Sequence, residues 1–292
     1  MGITTHSGIT IGQNNGYAIL DCESCGFIHV HPKPTIEQMQ DIYPKEYYSS
    51  HYPGWIEKTL SEQEYWRIAF SRRFEVFEKQ LPENRRRVLD VGCFLGLFLQ
   101  AGKSRGWSVV GIEPSEQGVA HGRKNGLDVR HGFFEDFSEH ELGKFDVINL
   151  SLTLEHVLDP ISLIDKAHGL LSAGGLLCIE VPNDFSALQQ GVKKVLDKDD
   201  YWLSAPHHLN YFNFQSLALV LGKSNFEIAH QTATFPMEFF LLFGENYLGN
   251  DALGRECHRR RMTFETNLKN AGLGEFMDKF YEFLASQDAG RE

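Results

Sequence analysis

The chain has 292 residues, of which 42% are hydrophobic and 23% are charged, and its formal net charge is -11. Such a composition is typical of a globular protein with room for one large α/β domain or two small ones. The acidic balance argues against nucleic acid as a partner, and no apolar run approaches the roughly 20 residues that a membrane span needs. The start lacks the basic and apolar parts of a signal peptide, and the five cysteines do not suggest a disulfide scaffold. We therefore expect a reduced, cytoplasmic protein.

The first of three regions, residues 1–85, is expected to be aromatic-rich and helical, with a CxxC near its start. Two capping boxes are expected to begin helices there: Thr35 with Gln38, and Ser61 with Glu64. The second of these helices should span residues 62–80 and carry five apolar residues on one face: Trp66, Phe70, Phe74, Phe77 and Leu81. This stripe either packs against the main domain, which is the favoured interpretation, or forms a lid over an active site.

The middle region, residues 86–234, alternates short apolar strands with helices, and residues 235–292 are expected to be mostly helical. Strands are predicted at Arg87–Val91, Ser108–Glu113, Asp128–Arg130, Phe145–Ser151, Leu176–Val181 and Phe226–Thr234. Helices are predicted at Leu95–Arg105, Ser115–Asn125, Pro160–Leu171 and Phe214–Ser224. This order predicts an α/β fold with a doubly wound, mostly parallel Rossmann-like sheet and helical additions at both ends. Because such sheets bind ligands at the carboxyl ends of their strands, functional residues are expected just after strands.

The segment VLDVGCFLGLFL, residues 88–99, has the pattern of a strand, a glycine turn and a helix start. Gly92 and Gly96 permit close approach of a ligand, and the helix amino terminus offers free N–H groups. Glu113 ends the next predicted strand, where a carboxylate can accept hydrogen bonds from ribose hydroxyls. These features alone fit either a dinucleotide or S-adenosylmethionine. Phe94 occupies the place of the middle glycine in G-x-G-x-x-G, which argues against a dinucleotide.

The same segment resembles the first motif of class I S-adenosylmethionine-dependent methyltransferases, VLDxGxGxG, and departs from it at Phe94. Four further stretches resemble later motifs of that family in the right order: GIEPS at 111–115, GFFED at 132–136, FDVINLSLTLEHVLD at 145–159 and LLSAGGLLCIEVPN at 170–183. The resemblance covers roughly half of the chain. It implies the methyltransferase version of the predicted sheet, with S-adenosylmethionine as the cofactor.

The resemblance also implies roles for individual residues. Asp90 would organise the turn and the methionine amino group, and Gly92, Phe94 and Gly96 would form the loop against the cofactor. Glu113 would hold the ribose, with Pro114 beside it. Phe133 and Phe134 would flank the adenine, with Glu135 or Asp136 near its amine, unless the two rings serve only as core. Ser151 would line the methionine end.

Methyl transfer to many acceptors requires the removal of a proton, and histidine is the first candidate for the base. His156 follows the fourth predicted parallel strand, and His207 and His208 lie in a long insertion after the fifth. Each of the three is a candidate base, and each has the alternative of fixing a loop by hydrogen bonding.

Cys22 and Cys25 form the CxxC and resemble part of the zinc ribbon that precedes the domain in a group of enzymes acting on nucleotide-linked sugars or related small molecules. The first CxxC of that ribbon is absent. His6, His29 or His31 would have to complete a four-ligand site, so that two reduced thiols without metal are the favoured interpretation, and no metal site is predicted.

The predicted function is methyl transfer to a small-molecule acceptor, with a sugar or a nucleotide-linked sugar as the candidate acceptor. Two alternatives remain at this point: a nicotinamide-dependent oxidoreductase, and a methyltransferase-like module that binds a partner without catalysis. The family's final antiparallel strand is either absent or built from Met237–Phe243. The acceptor atom and the oligomeric state are left open.

Overall fold

The computed structural model describes residues 6–42 and 54–292. The chain forms two compact units, and neither is continuous in sequence. The sheet unit consists of the described residues of 34–154 together with 159–180. The composite unit consists of the described residues up to Lys33, residues 155–158 and residues 181–292. These units combine pieces of the three regions 1–85, 86–234 and 235–292, and that division into domains stays a prediction.

Five parallel strands form the core of the sheet unit. The strands of both units are numbered together in chain order. The parallel strands are β4 (Arg87–Val91), β5 (Ser108–Glu113), β6 (Asp128–His131), β7 (Phe145–Ser151) and β8 (Leu171–Glu180). Their order across the sheet is β6-β5-β4-β7-β8, with every neighbouring pair parallel. The strands are nearly continuous apolar runs, as expected where helices cover both faces. The predicted doubly wound sheet is confirmed.

Helices of the sheet unit largely follow the predicted positions. They are α1 (Ile36–Ile42), α2 (Trp55–Ser61), α3 (Gln63–Gln80), α4 (Leu97–Ser104), α5 (Glu116–Lys124), α6 (Glu139–Leu142) and α7 (Pro160–Leu170). The aromatic stripe of α3 packs into the core: the Phe74 ring stacks on Phe98 with centroids 4.7 Å apart, and it meets Trp107 edge to face. The packing interpretation of this stripe is therefore confirmed for the buried part of α3.

One of the two predicted capping boxes is present. The Gln38 side chain accepts from the Thr35 N–H at 2.8 Å, and the Thr35 hydroxyl accepts from the Gln38 N–H at 3.2 Å. The other prediction is wrong, because Ser61 closes α2 and its hydroxyl donates to the Lys58 carbonyl. Glu64 instead pairs with Arg67 one turn later.

The composite unit begins with an antiparallel sheet where a helical region is predicted, so that prediction is wrong for residues 8–31. Its strands are β1 (Gly8–Asn14), β2 (Tyr17–Cys22), β3 (Phe27–His31) and β9 (Asn210–Tyr211), in the order β1-β2-β3-β9. Asn15 and Gly16 both have positive φ, of 48° and 84°, which is the backbone of a tight hairpin turn. The β-branched and aromatic residues on either side of that turn favour strands over a helix.

The remainder of the composite unit is helical: α8 (Ala187–Leu196), α9 (Phe214–Lys223), α10 (Glu238–Leu242), α11 (Asp251–Asn270) and α12 (Gly274–Ser286). The strand predicted at Phe226–Thr234 is wrong, because those residues form no strand; Thr234 exchanges backbone hydrogen bonds with Arg291 and Glu292, and Phe226 donates its N–H to the Leu221 carbonyl. An alternating pattern forms a strand only where a neighbouring edge pairs with it. The alternative final strand at 237–243 is also wrong, since α10 occupies it. Within the described part of the chain, no helix combines the length and apolar composition that crossing a membrane requires.

Candidate cofactor and catalytic sites

The turn after β4 has a left-handed backbone at three predicted cofactor residues. Gly92, Phe94 and Gly96 have φ values of 73°, 46° and 75°. Phe94 thus takes the conformation that a glycine normally supplies, although its Cβ makes that conformation costly. Gly96 begins α4 without a capping side chain, which leaves the first N–H groups of the helix directed at the space before it.

Glu113, at the end of β5, is 1% exposed and anchors this turn. Its carboxylate accepts the Phe94 N–H at 2.8 Å and the Ser115 N–H at 2.9 Å, one on each oxygen. Burial raises the pKa of Glu113, and these two N–H groups act in the opposite direction. A carboxylate has about four acceptor positions, so these two N–H groups do not exhaust its capacity, and contact of Glu113 with a ribose stays a prediction.

Asp90 lies at the carboxyl end of β4, directly opposite Asn149 of β7 in the strand register. The Asn149 amide donates to the Asp90 carboxylate at 2.7 Å. Burial raises the pKa of Asp90 to about 7. Asp90 is therefore a carboxyl group that a nearby cation would convert fully to its charged form.

Ser151 belongs to a charged network that the sequence prediction missed. Its hydroxyl donates to Glu180, which is opposite it in the β7–β8 register. Arg73 of α3 donates to Ser151 and Asn149 at 3.2 Å each and forms an ion pair with Glu180 at 2.8 Å. Burial disfavours the Arg73 charge, but the Glu180 carboxylate outweighs it and raises the pKa of Arg73 above its ordinary value. The available signal was a polar residue near the carboxyl end of each apolar strand.

The predicted adenine residues lie after β6 and differ in exposure. Phe133 is 55% exposed, whereas Phe134 is 2% exposed and has the Lys166 ammonium 4.9 Å from its ring centroid. Only Phe133 has a ring face available to a ligand, and its N–H donates to Asp136 at 2.8 Å. Pro114 is exposed, and its carbonyl accepts from the His131 ring at 3.0 Å. Contact of these residues with adenine stays a prediction.

These residues fit the chemical groups of S-adenosylmethionine. Asp90 and Glu113 are carboxylates at the ends of neighbouring strands and match an ammonium group and a ribose diol. Between them lies the turn after β4, which leads into α4, and no side chain caps the first N–H groups of that helix. Arg73 adds a cation for a carboxylate at the same edge of the sheet. The donor and acceptor set of the sheet unit is thus complementary to an amino acid joined to a nucleoside.

The histidine cluster lies in the composite unit. The Glu155 carbonyl accepts the N–H groups of Leu209 and Asn210 at 2.7 and 3.2 Å, and this pairing brings two distant chain segments together. As a result the His156 and His208 rings meet edge to face with centroids 5.0 Å apart. The third predicted base, His207, contributes its backbone carbonyl, which lies 2.8 Å from His156 Nδ1.

Because a carbonyl only accepts, His156 Nδ1 carries the proton and Nε2 carries the lone pair. Nε2 lies 3.8 Å from a carboxylate oxygen of the buried Glu155. Burial lowers the pKa of His156, and it lowers the pKa of His208 to about 3. Both imidazoles are therefore neutral at neutral pH.

Comparison with known proteins gives the family. A family profile described as "Methyltransferase domain" matches residues 64–231, which is more than half of the chain. The chain belongs to this methyltransferase family. Its cofactor is S-adenosylmethionine, and the nicotinamide-dependent oxidoreductase is thereby set aside.

Two curated relatives are ubiquinone biosynthesis O-methyltransferases. The protein from Actinobacillus pleuropneumoniae is 39% identical over 108 residues, which is 34% of this chain and 46% of that protein. The protein from Pseudomonas aeruginosa is 36% identical over 104 residues, with coverages of 34% and 45%. The chain thus spans about half the length of the curated relatives that it matches.

A solved structure is similar over more of the chain. The plantazolicin methyltransferase BpumL, in complex with a monoazolic desmethylPZN analog and SAH, has a TM-score of 0.50 and 17% sequence identity, and covers 75% of this chain and 93% of that one. At this identity the similarity supports the fold alone, which agrees with the parallel sheet described above.

The CxxC of this methyltransferase lies at the end of β2. Cys22 and Cys25 are buried, and both are present as reduced thiols. Two of the three histidines proposed as partners from the sequence, His6 and His29, lie next to the cysteines, whereas His31 is not part of the group. Burial lowers the pKa of His29 to about 4.

Proposed function

We propose that the enzyme transfers the methyl group of S-adenosylmethionine to a hydroxyl oxygen of a small molecule, and that His156 is the base that removes the hydroxyl proton. The observation that supports this proposal is the single tautomer of His156. Its Nδ1 proton is held by the His207 carbonyl, and its basic Nε2 lies beside the carboxylate of Glu155. A neutral imidazole with a fixed orientation and an adjacent carboxylate is the arrangement that accepts a proton efficiently.

The other two candidate histidines are less suited to this role. Nδ1 of His208 is buried without a hydrogen-bond partner among the described residues, so no group fixes its tautomer as the His207 carbonyl fixes that of His156. His207 acts through its backbone carbonyl, so its part is to orient His156. Glu155 stabilises the imidazolium that forms when His156 takes the proton.

Oxygen is the acceptor atom that makes such a base necessary. When bound, S-adenosylmethionine supplies a methyl group on a sulfonium, which is already an excellent leaving group. A phenolic hydroxyl with a pKa of about 10, or a sugar hydroxyl with a higher one, stays protonated at neutral pH and needs help to lose its proton. The O-methyltransferase relatives support an oxygen acceptor. The acceptor is then a phenol or, as the CxxC segment suggests, a sugar or nucleotide-linked sugar, methylated in the cytoplasm.

The test begins with a panel of phenols and nucleotide-linked sugars, assayed by the formation of S-adenosylhomocysteine. On the best acceptor, His156→Asn should lower kcat by about 10²–10⁴-fold. The asparagine amide keeps a donor for the His207 carbonyl and removes the basic nitrogen, so the loop contact is retained. Binding of S-adenosylhomocysteine, measured by calorimetry, should be unchanged.

The matched control is His140→Asn, which alters an exposed histidine of α6 in the sheet unit. In the unmodified enzyme the activity should rise with pH, with the midpoint of the rise below 6.5, because burial lowers the pKa of His156. His156→Asn should remove that rise. Normal turnover in His156→Asn would disprove the assignment of the base, whereas failure of the unmodified chain to bind S-adenosylhomocysteine would favour a binding module without catalysis.

A further inference from the structure

The composite unit holds a second cluster of reactive side chains, which the methyl-transfer reaction does not use. One ligand atom from each of four residues lies within 4.8 Å of the other three: His6, Cys22, Cys25 and His29. We propose that these residues form a structural zinc site with two thiolate and two imidazole ligands. This inference is independent of the proposed base and of the acceptor.

The strand register explains why these residues meet. Residues opposite each other in an antiparallel pair point to the same face of the sheet. Cys22 of β2 is opposite Phe27 of β3, so His29, two residues further along β3, points to the same face as Cys22. Cys22 is also opposite Gly8 of β1, and His6 precedes Gly8 by two residues. Cys25 lies in the tight turn between β2 and β3.

The distances agree with tetrahedral coordination. Zinc binds sulfur at about 2.3 Å and imidazole nitrogen at about 2.0 Å, so neighbouring sulfur and nitrogen ligands are about 3.5 Å apart. His6 Nδ1 lies 3.4 Å from Cys25 Sγ and 3.8 Å from Cys22 Sγ. The His6 and His29 ring centroids are 4.6 Å apart. A small shift of side chains would therefore place four donors around one ion.

His29 gives the most specific indication of a ligand. The residue is fully buried, and its Nδ1 donates to the Val30 carbonyl at 2.8 Å. The proton on Nδ1 leaves a lone pair on Nε2, which is buried and has no hydrogen-bond partner among the described residues. A backbone carbonyl that holds the far nitrogen of a histidine is the usual support for a metal-binding imidazole.

A backbone N–H group also supports one of the two cysteine ligands. The Cys25 N–H donates to Cys22 Sγ at 3.4 Å, an interaction that stabilises a thiolate. Zinc binding releases one proton from each thiol and forms two zinc–sulfur bonds, while the imidazoles bind as neutral ligands. Two thiolates balance the charge of one Zn²⁺, so the buried site carries no net charge. The site would tie the strand β3 to the CxxC turn and to the segment that precedes β1.

The first test uses the unmodified chain, purified with a reductant and dialysed against buffer without metal. We expect one zinc per chain by plasma mass spectrometry. Zinc K-edge absorption should show two sulfur and two nitrogen neighbours, at about 2.3 and 2.0 Å. Replacement by Co²⁺ should give the visible bands of a tetrahedral ion and the near-ultraviolet bands of thiolate coordination. None of these readouts depends on catalytic activity.

Variants then identify the ligands. Cys22→Ser, Cys25→Ser and His29→Asn should each lower the affinity for zinc at least tenfold in competition with a chromogenic chelator. Two matched controls should keep full affinity: Cys257→Ser, a buried cysteine of α11, and His31→Asn, the histidine that ends β3. Binding of S-adenosylhomocysteine serves as the check that the sheet unit of each variant is folded.

Any one of three results would overturn the proposal. One is the absence of bound zinc in the reduced, unmodified chain after incubation with an equivalent of Zn²⁺. The second is an absorption spectrum without sulfur neighbours, and the third is loss of zinc in His31→Asn but not in His29→Asn. If a ligand variant does not fold, the spectra of the unmodified chain still decide between these outcomes.

Discussion

An ion pair of the sheet unit differs from several other buried ionisable groups, which burial shifts toward their neutral forms in both units, Asp90 and Glu113 included. In the sheet unit, Arg73 and Glu180 keep their charges by pairing with each other, and their side chains are only 19% and 20% exposed. In the composite unit, burial favours the neutral form of three such groups: it raises the pKa of Asp184 and Glu238 and lowers the pKa of His156. An ion pair thus holds two opposite charges in place, whereas burial by itself favours the neutral form of an acid or a base.

The largest expected effect concerns the charged pair of the sheet unit. Glu180→Gln removes the carboxylate that pairs with Arg73, so the buried guanidinium keeps only the weaker influence of Asp90. Removing one partner of a buried pair typically costs about 3–5 kcal/mol. Because this pair is partly exposed, we expect the free energy of unfolding to fall by about 3 kcal/mol. Urea unfolding of the unmodified enzyme and the variant measures the loss.

A matched control is Glu64→Gln, which breaks the exposed Glu64–Arg67 pair within α3 and should have no measurable effect. The double variant Arg73→Met with Glu180→Gln should recover part of the stability, since no unpaired charge remains. A Glu180→Gln variant as stable as Glu64→Gln would show that Arg73 does not depend on its partner.

The sheet unit was predictable because its signals are local. The bounds of β4, β5 and β7 agree with the prediction to the residue, since each is an apolar run ended by a polar residue or a glycine turn. Asp90 and Glu113 follow from the same short pattern. Arg73 was not predicted as part of the site, because its pairing with Glu180 joins residues that no spacing rule connects.

The composite unit was less predictable because its contacts join distant segments. The proximity of His156 to His208 depends on a backbone pairing between Glu155 and Leu209, which the sequence does not encode in any spacing. The sheet formed by β1, β2 and β3 was not predicted for a different reason. The Asn15–Gly16 turn between alternating apolar residues is a recognisable hairpin signal, but the prediction of helix for residues 1–85 did not take it into account.

A second effect, smaller per pH unit, tests the neutral state of the buried acids in the composite unit. Burial raises the pKa of Asp184 well above its ordinary value, so the folded state holds a proton that the unfolded state releases above about pH 4. Stability should therefore fall as the pH rises from about 4, by up to about 1.4 kcal/mol per pH unit. Asp184→Asn removes this titration and should flatten the dependence.

Thermal unfolding between pH 5 and 8 measures the stability of the unmodified enzyme and of Asp184→Asn. Asp199→Asn alters an exposed aspartate of the same unit and should leave the slope as it is in the unmodified enzyme. If Asp184→Asn is less stable than the unmodified chain at pH 8, then Asp184 is charged in the folded state. The contrast between the ion pair and the neutral buried groups would then not hold at this residue.

The smallest expected effect concerns Phe94, where the cofactor turn departs from the family pattern. Its φ of 46° costs any residue with a Cβ about 1–2 kcal/mol relative to glycine. Phe94→Gly and Phe94→Ala both remove the ring and its packing, so the difference between them isolates the backbone term. We expect Phe94→Gly to be the more stable of the two by about 1 kcal/mol in urea unfolding.

Because the Phe94 N–H donates to Glu113, the alanine variant can relax its backbone only by disturbing that hydrogen bond. It should consequently bind S-adenosylhomocysteine more weakly than the glycine variant. Equal stability and equal affinity of the two variants would mean that the turn does not require the left-handed backbone, and that Phe94 is retained for its ring alone.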